Sequence, residues 1–304
     1  MTDWISRHRH RLAAACAGAL CAVVAAIPLV GALTTSAAAS SCPKRIVSIS
    51  PTATESLFAI GAGRQVVAVD SLSDYPTTAP RKSGLIAYTP NAEAIAVTYN
   101  PDLVVVSYDA NKVVEQLRTL GIRVLYQPTA KNLPGAYAQI ETLGTYTCRR
   151  TSAIGVVHTI QRQIAGIQHV VGAKARGLTY YDEISAPPYD YAASSKSFIG
   201  ELFGLLGLRN ITTASSGFPA LSQEYIVKAS PKLIFLSDNQ PNDGNVTKAN
   251  VERRPGWSNI RAVKNRAIFD LNDDAASRWG PRVVVLMRQI SAAVLTYVRA
   301  HPRG

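Results

Sequence analysis

Seven aromatic side chains stand in loop-like segments outside the apolar runs: Tyr75 in SLSDYP, Tyr88 in GLIAYTP, Tyr108 in VVVSYDAN, Tyr189 and Tyr191 in PPYDYA, Phe218 in SGFPALS and Trp279 in SRWGPR. Rings carried on loops offer flat apolar surface with a polar handle on tyrosine and tryptophan, which suits contact with a large planar or greasy ligand. Bond-breaking chemistry is poorly supplied by comparison. Beyond residue 39 the histidines are His158, His169 and His301, on a helical pattern and in the tail, so a Ser-His-Asp site lacks its base. Ser50 and Ser56 lack the flanking glycines of a nucleophile elbow. His158 and His169 are eleven residues apart, about three helical turns, too far to share a metal, and zinc would need convergent ligands at about 2 Å. The stretch SPTATESLFAIGAG has no third glycine to complete a dinucleotide fingerprint. No catalytic, metal or cofactor site is expected, and an exported hydrolase is disfavoured on the same grounds.

Those loops need elements to hold them, and self-comparison supplies the plan. LFAIGAGRQV from Leu57 matches LFGLLGLRNI from Leu202, and EAIAVTYNPDLVVVS from Glu93 matches EYIVKASPKLIFLS from Glu224, in the same order and about 145 and 130 residues apart. Two copies of one α/β unit follow. In the first, RIVSIS, VVAVD, DLVVVS and RVLYQ are strand-length β-branched runs, with helical patterns at Thr54–Ile60, Ala92–Val97 and Lys112–Leu120. In the second, GLTYYDE, NITTA, KLIFLS and AIFDL are the strands, before a helix from about Arg282 to Arg299. Strands alternating with helices imply mostly parallel sheets. Between the copies, Val157, Ile160, Ile164, Ile167 and Val171 recur at three- and four-residue spacing within Thr151–Ala173, an amphipathic helix of about six turns and a stiff linker. The expected fold is α/β: two similar Rossmann-like lobes, residues 43–148 and 175–304, joined by one long linker helix at 149–174. In open parallel sheets ligands collect at the carboxyl ends of the strands. SISPTATES is such a junction, with Ser50 or Thr52 as N-cap, Pro51 setting the first turn, and Gly61 and Gly63 ending the helix in left-handed conformation.

Residues 1–39 have a different character. Arg7, Arg9 and Arg11 precede an uncharged Ala-rich run to about Leu33, and Ala37 and Ala39 form an A-x-A site: an export signal peptide. Cys16 and Cys21 fall inside it, leaving Cys42 and Cys148 for one disulfide in an oxidising compartment. Such a bridge closes a loop of roughly a hundred residues, worth about 4 to 5 kcal/mol in the chain-entropy model. Lipid attachment at Cys42 competes with it, so the exported protein is soluble or membrane-tethered. The formal charge of +12 falls to about +10 without the signal, and the remaining basic residues are scattered. The densest run, ERRPGWSNIRAVKNR, reads as a solvated face, and no nucleic-acid partner is expected.

RIVSISPTATESLFAIGAGRQVVAVDSLSDYP, NAEAIAVTYNPDLVVVS and LSQEYIVKASPKLIFLSD together resemble the solute-binding proteins of ABC importers for cobalamin, ferric siderophores and haem, most closely the cobalamin-binding kind, from Arg45 to about Val298. The resemblance implies a monomer that captures its ligand between two lobes and performs no chemistry on it. It implies a corrinoid ligand, with a ferric siderophore or haem as the alternative, held by Tyr75, Tyr88, Tyr108, Tyr189 and Phe218 with Asp274 and Arg278 as polar partners. Arg278 and Arg282 are the arginines available to meet an anionic siderophore. By the same resemblance, Glu93 and Glu224 dock onto arginines of the permease in the periplasm or at the cell surface. Each glutamate is also a first-turn acid that a helix dipole favours.

Overall fold

The computed structural model describes residues 42–212, 217–239 and 245–302; the export segment with its A-x-A site lies outside them. Eight strands run in chain order: β1 Ile46–Ile49, β2 Val66–Val69, β3 Leu103–Val106, β4 Val124–Tyr126, β5 Thr179–Glu183, β6 Arg209–Asn210, β7 Leu233–Leu236 and β8 Ile268–Asp270. The helices are α1 Pro51–Ala59, α2 Ala92–Tyr99, α3 Val113–Thr119, α4 Leu133–Tyr146, α5 Arg150–Ala175, α6 Phe198–Leu205, α7 Gln223–Ala229, α8 Lys248–Glu252, α9 Arg261–Lys264, α10 Asp273–Ser277 and α11 Val283–Ala300. The first sheet has order β2-β1-β3-β4 and the second β6-β5-β7-β8, with every pairing parallel. The two lobes therefore share one topology. Compared with the sequence reading, NITTA shrinks to the two-residue β6, and α4 is an addition whose LPGAYAQIETLGTY pattern is diluted by two glycines and a proline.

Local chemistry explains the shared plan. In α2 the Asn91 side chain accepts from the Ala94 amide at 2.9 Å, and the helix ends at Asn100, whose φ of 40° is left-handed, just before Pro101. In α7 the Ser222 hydroxyl accepts from Tyr225 at 3.2 Å, and the helix ends at Ser230, φ 43°, just before Pro231. An N-cap, a left-handed exit and a following proline bound each helix. Guanidinium groups then complete the exits: Arg45 donates to the Tyr99 carbonyl and Arg261 to that of Ser230. At the opening junction, Ser50 is the N-cap of α1, accepting from Ala53 at 3.2 Å, and Pro51 is its first residue. Gly61 takes the left-handed conformation at φ 79°. Gly63 does not: it starts a short 3₁₀ turn, and a Cβ there would sit 2.7 Å from the Phe58 ring. Close approach, not backbone handedness, is what demands this second glycine.

The strands of the first lobe are buried on both faces. Val47, Ile49, Val104 and Val106 pack with Ile95 of α2 and Val113 and Leu117 of α3. Ile46, Leu103 and Val105 face the other way and join a core that continues through α4, α5 and α11 into the second lobe. Along α5, Val157, Ile160, Ile164 and Val171 are buried and Ile167 is partly so. Burial of each Val or Ile contributes about 1.5–3 kcal/mol, so bending between the lobes would expose a large apolar seam. The approach of α4 to α5 depends on Gly144, where a Cβ would lie 2.4 Å from that of Ala153. Cys42 and Cys148 are joined, 106 residues apart in sequence, tying the start of the first lobe to the α4–α5 turn. Cys42 in this bridge has no thiol left for a lipid.

Cys148→Ser should lower the unfolding free energy by about 3–5 kcal/mol in urea titrations. A non-reducing peptide map of the exported protein should show the Cys42 and Cys148 peptides linked, and a free Cys148 thiol would contradict the bridge.

Candidate functional site

Every aromatic residue that the sequence assigns to ligand contact lies on a loop after the carboxyl end of a strand: Tyr75 and Tyr88 after β2, Tyr108 after β3, Tyr189 after β5 and Phe218 after β6. Those five rings and Tyr191 are exposed, reaching 63% for Tyr88 and 64% for Tyr189, although the strands beneath them are buried. Tyr88 and Tyr108 meet edge to face at 5.9 Å, so two separate loops of the first lobe deliver one aromatic pair. Tyr189 and Tyr191 lie parallel with centroids 6.3 Å apart. Phe218 joins them because its loop bonds back to their segment, Ala192 donating to Pro219 and Ser194 to Gly217. Leu72 and Ile86 add exposed apolar surface on the loop that carries Tyr75 and Tyr88.

Arg278 and Asp274 follow β8 and stand in a lattice that crosses between the lobes. The Arg278 guanidinium donates to Glu55 and Asp74, both at 2.9 Å, to the Leu72 carbonyl at 3.0 Å, and to Asp274. Arg282 donates to the same Glu55 oxygen at 2.6 Å and lies over the Tyr75 ring at 4.5 Å. The Glu55 side chain is only 1% exposed and that of Arg278 8%. Its other oxygen, Oε2, and Arg282 Nε are buried without a hydrogen-bond partner. For Asp74, burial opposes ionisation, but the hydrogen bond and charge of Arg278 outweigh it and hold the carboxyl below its usual range. For Asp274, burial prevails over the same arginine and the shift is upward. Trp279 donates to Gln139 of α4 at 2.7 Å, and Glu201 of α6 accepts from the amide of Leu133 at 3.0 Å. Apart from Arg278–Asp274, these contacts pair one lobe with the other.

Sequence reasoning missed a second group, buried at the ends of β5 and β7. Arg254 forms a double hydrogen bond to Glu183, at 2.5 and 2.6 Å, and lies over Trp257 at 4.6 Å. Trp257 donates to Gln223, and Gln223 to Asp190 at 2.6 Å, which anchors the Tyr189–Tyr191 loop to the start of α7. The run ERRPGWSNIRAVKNR is therefore no mere solvated face, because Trp257 is fully buried and Arg254 turns inward to neutralise a carboxylate. Asp182 and Asp238 lie beside that pair with no exposure. Burial, with the nearby charge of Glu183, pushes each up to about 8. The signal that could have found them is the acidic pair DE closing an otherwise apolar strand.

Glu93 and Glu224 are exposed in the first turns of α2 and α7. His158 and His169 are exposed on α5, and His301 stacks on Tyr297. Among the described residues no group of three or more His, Cys, Asp or Glu is placed to hold a metal ion. A recess of about 650 Å³ beside the start of β2 is lined by Phe58, Arg64, Val66 and Arg149 and by Thr78 and Pro80 of the segment that carries Tyr75.

Residues 46–275 match the periplasmic binding protein family. The chain belongs to that family. It is 28% identical over 260 residues to the ABC transporter substrate-binding lipoprotein YvrC of Bacillus subtilis, covering 83% of this chain and 80% of the relative. It is 27% identical over 257 residues to the vitamin B12-binding protein of Pectobacterium carotovorum, covering 83% and 89%. The crystal structure of the periplasmic heme-binding protein HutB of Vibrio cholerae shares the fold at a TM-score of 0.73 and 22% identity, over 82% of this chain and 97% of that one.

Glu55→Gln leaves two buried guanidinium groups without their shared anion and should cost about 3–5 kcal/mol in urea unfolding. Lys248→Ala, at the exposed Lys248–Asp270 pair, should cost under about 1 kcal/mol and serves as the control. Asp182 and Asp238 bind protons more tightly folded than unfolded, from a reference of 3.8. Their stabilising contribution is fully present below about pH 4, declines as pH rises, and is gone above about pH 8. Asp238→Asn should flatten the fall of the thermal midpoint across that range, and a slope identical to the parent's would refute the assignment.

Proposed function

We propose that this protein is the extracytoplasmic solute-binding component of an ABC importer, capturing a corrinoid between its lobes and delivering it to a membrane permease. The observation that carries the reading is the set of exposed rings on strand-end loops of both lobes: Tyr75, Tyr88 and Tyr108 on one, Tyr189 and Phe218 on the other. Rings held outward by a buried scaffold present preformed flat surface, which limits the ordering cost of binding a large rigid macrocycle. The vitamin B12-binding relative and the substrate-binding lipoprotein support the same reading. Family membership supports an exported location and a role in binding without catalysis. The core that continues through α5 supports capture with only a modest hinge motion. Arg278, already engaged by Glu55, Asp74 and Asp274, acts on the ligand indirectly, by setting the distance between the lobes and by holding the Tyr75 loop.

Glu93 and Glu224 are assigned to permease docking. They occupy equivalent first turns of α2 and α7, each free to present a carboxylate beyond a capped helix end. Such exposed charges act mainly on orientation and encounter rate.

Isothermal titration of the mature protein with cyanocobalamin should show saturable one-to-one binding in the micromolar range or tighter. Tyr88→Ala, Tyr108→Ala and Phe218→Ala should each weaken it by about tenfold, or 1.4 kcal/mol. Absence of saturable heat with cyanocobalamin would remove the corrinoid assignment. The double variant Glu93→Ala/Glu224→Ala should keep the parent's affinity and lose uptake in cells; weakened binding by the purified variant would refute the docking role.

A further inference from the structure

The charge arrangement at the cleft restricts which ligands it accepts. The arginines that bridge the lobes beside Tyr75, Arg278 and Arg282, are the natural candidates to receive an anionic ligand. Neither is available in that sense: Glu55 bonds both, Asp74 and Asp274 bond Arg278, and Asp274 lies 3.7 Å from Arg282. Three carboxylates against two guanidiniums leave a formal excess of one negative charge. The face of Arg282 is also occupied, because it lies over the Tyr75 ring. At the strand ends of the second lobe Arg254 is likewise engaged, bound twice by Glu183 with Asp182 and Asp238 buried beside it. Arg81 and Lys82 on the segment after β2, and Lys112, Lys131 and Lys196 on those after β3, β4 and β5, are exposed, where water and salt screen them. A chain of net charge +12 thus keeps a neutral to negative centre in its cleft.

We infer that the cleft selects ligands without net negative charge, so that a neutral or cationic macrocycle or hydroxamate complex binds and a dianionic haem or a tris-catecholate ferric complex is rejected. The inference rests on the ligand site proposed above. An anion brought to this lattice meets like charge at Asp74 and Asp274, the partly exposed members, and gains Arg278 only by displacing a carboxylate that already holds it. Juxtaposed like charge is an effective means of excluding wrong ligands. A neutral corrinoid carrying amide side chains meets no such penalty and finds acceptors in the same carboxylates.

The test is a titration panel on the intact mature protein: cyanocobalamin as the neutral macrocycle, cobinamide as a cationic one, ferrioxamine B as a cationic hydroxamate, and haem and ferric enterobactin as anions, each at low and high salt. The expected result is saturable binding of neutral or cationic members, little changed by salt for the neutral one, with both anions weaker by about a hundredfold or more. The double variant Asp74→Asn/Asp274→Asn, which leaves buried Glu55 in place, should raise the ratio of anion to cyanocobalamin affinity by about tenfold. Tighter binding of haem or ferric enterobactin than of every neutral and cationic member would overturn the charge rule while preserving a ligand-binding role. An unchanged ratio in the double variant would overturn the lattice as its cause. Failure of the whole panel would overturn the ligand site itself, and the charge rule with it.

Discussion

One buried carboxylate organises the space between the lobes. Glu55 belongs to the first turns of α1 in one lobe, yet its Oε1 is shared by Arg278 and Arg282 of the other. A charge so thoroughly removed from water is stable only while its counter-ions stay in place, because the desolvation penalty is repaid by short, well-aligned hydrogen bonds or not at all. The two arginines must therefore approach α1, and the Tyr75 loop comes with them through Asp74, the Leu72 carbonyl and the stacking of Arg282 on Tyr75. Lobe spacing, loop position and the electrostatic character of the cleft follow from the same few bonds.

The apolar seam along α5 supplies the complementary constraint. Electrostatic contacts fix the lobes at the cleft side, while Val157, Ile160, Ile164 and Val171 bind α4 and α11 into a continuous core behind it. Two attachments at different places leave little freedom for rotation. The aromatic loops can then be long and exposed without being loose, since each is tied down at defined points: the first lobe's by Ser71 donating to Leu85 and Lys82 to Val69, the second's by Gln223 holding Asp190. Exposed apolar rings on a rigid support have an evident use in binding, and family membership agrees with it.

Duplication accounts for the symmetry of the scaffold and for where it breaks. Both sheets have the same strand order, and α2 and α7 share cap, exit and following proline. The strand ends differ in chemistry. Where β3 is followed by Ser107 and exposed Tyr108, β7 is followed by Ser237 and buried Asp238. The second lobe thereby acquires a buried acidic floor whose aspartates, Asp182 and Asp238, hold protons to higher pH than usual, and the first lobe presents rings.

The fold was legible in the sequence because its signals are local or repeated. β-branched runs, the three- and four-residue spacing of α5, the cap that Ser50 or Thr52 offers α1, and the matched Glu93 and Glu224 segments each depend on residues close together in the chain. So was the placing of Tyr75, Tyr88, Tyr108, Tyr189 and Phe218 on loops, since their flanking strands and turns are readable. The missed parts have one physical reason in common. The Glu55 lattice joins residues more than two hundred positions apart, Arg254 reaches Glu183 across 71 positions, and Trp279 reaches Gln139 across 140. Gly63 reads in the sequence as a second helix stop, whereas the Phe58 ring packed against it is what requires glycine there. Sequence alone determined which elements form, how they repeat and which rings the loops carry, because those follow from nearest-neighbour propensity and periodicity. Only the tertiary structure decided which charges are free, because pairing depends on distance after folding and burial makes an unpaired charge too costly to leave.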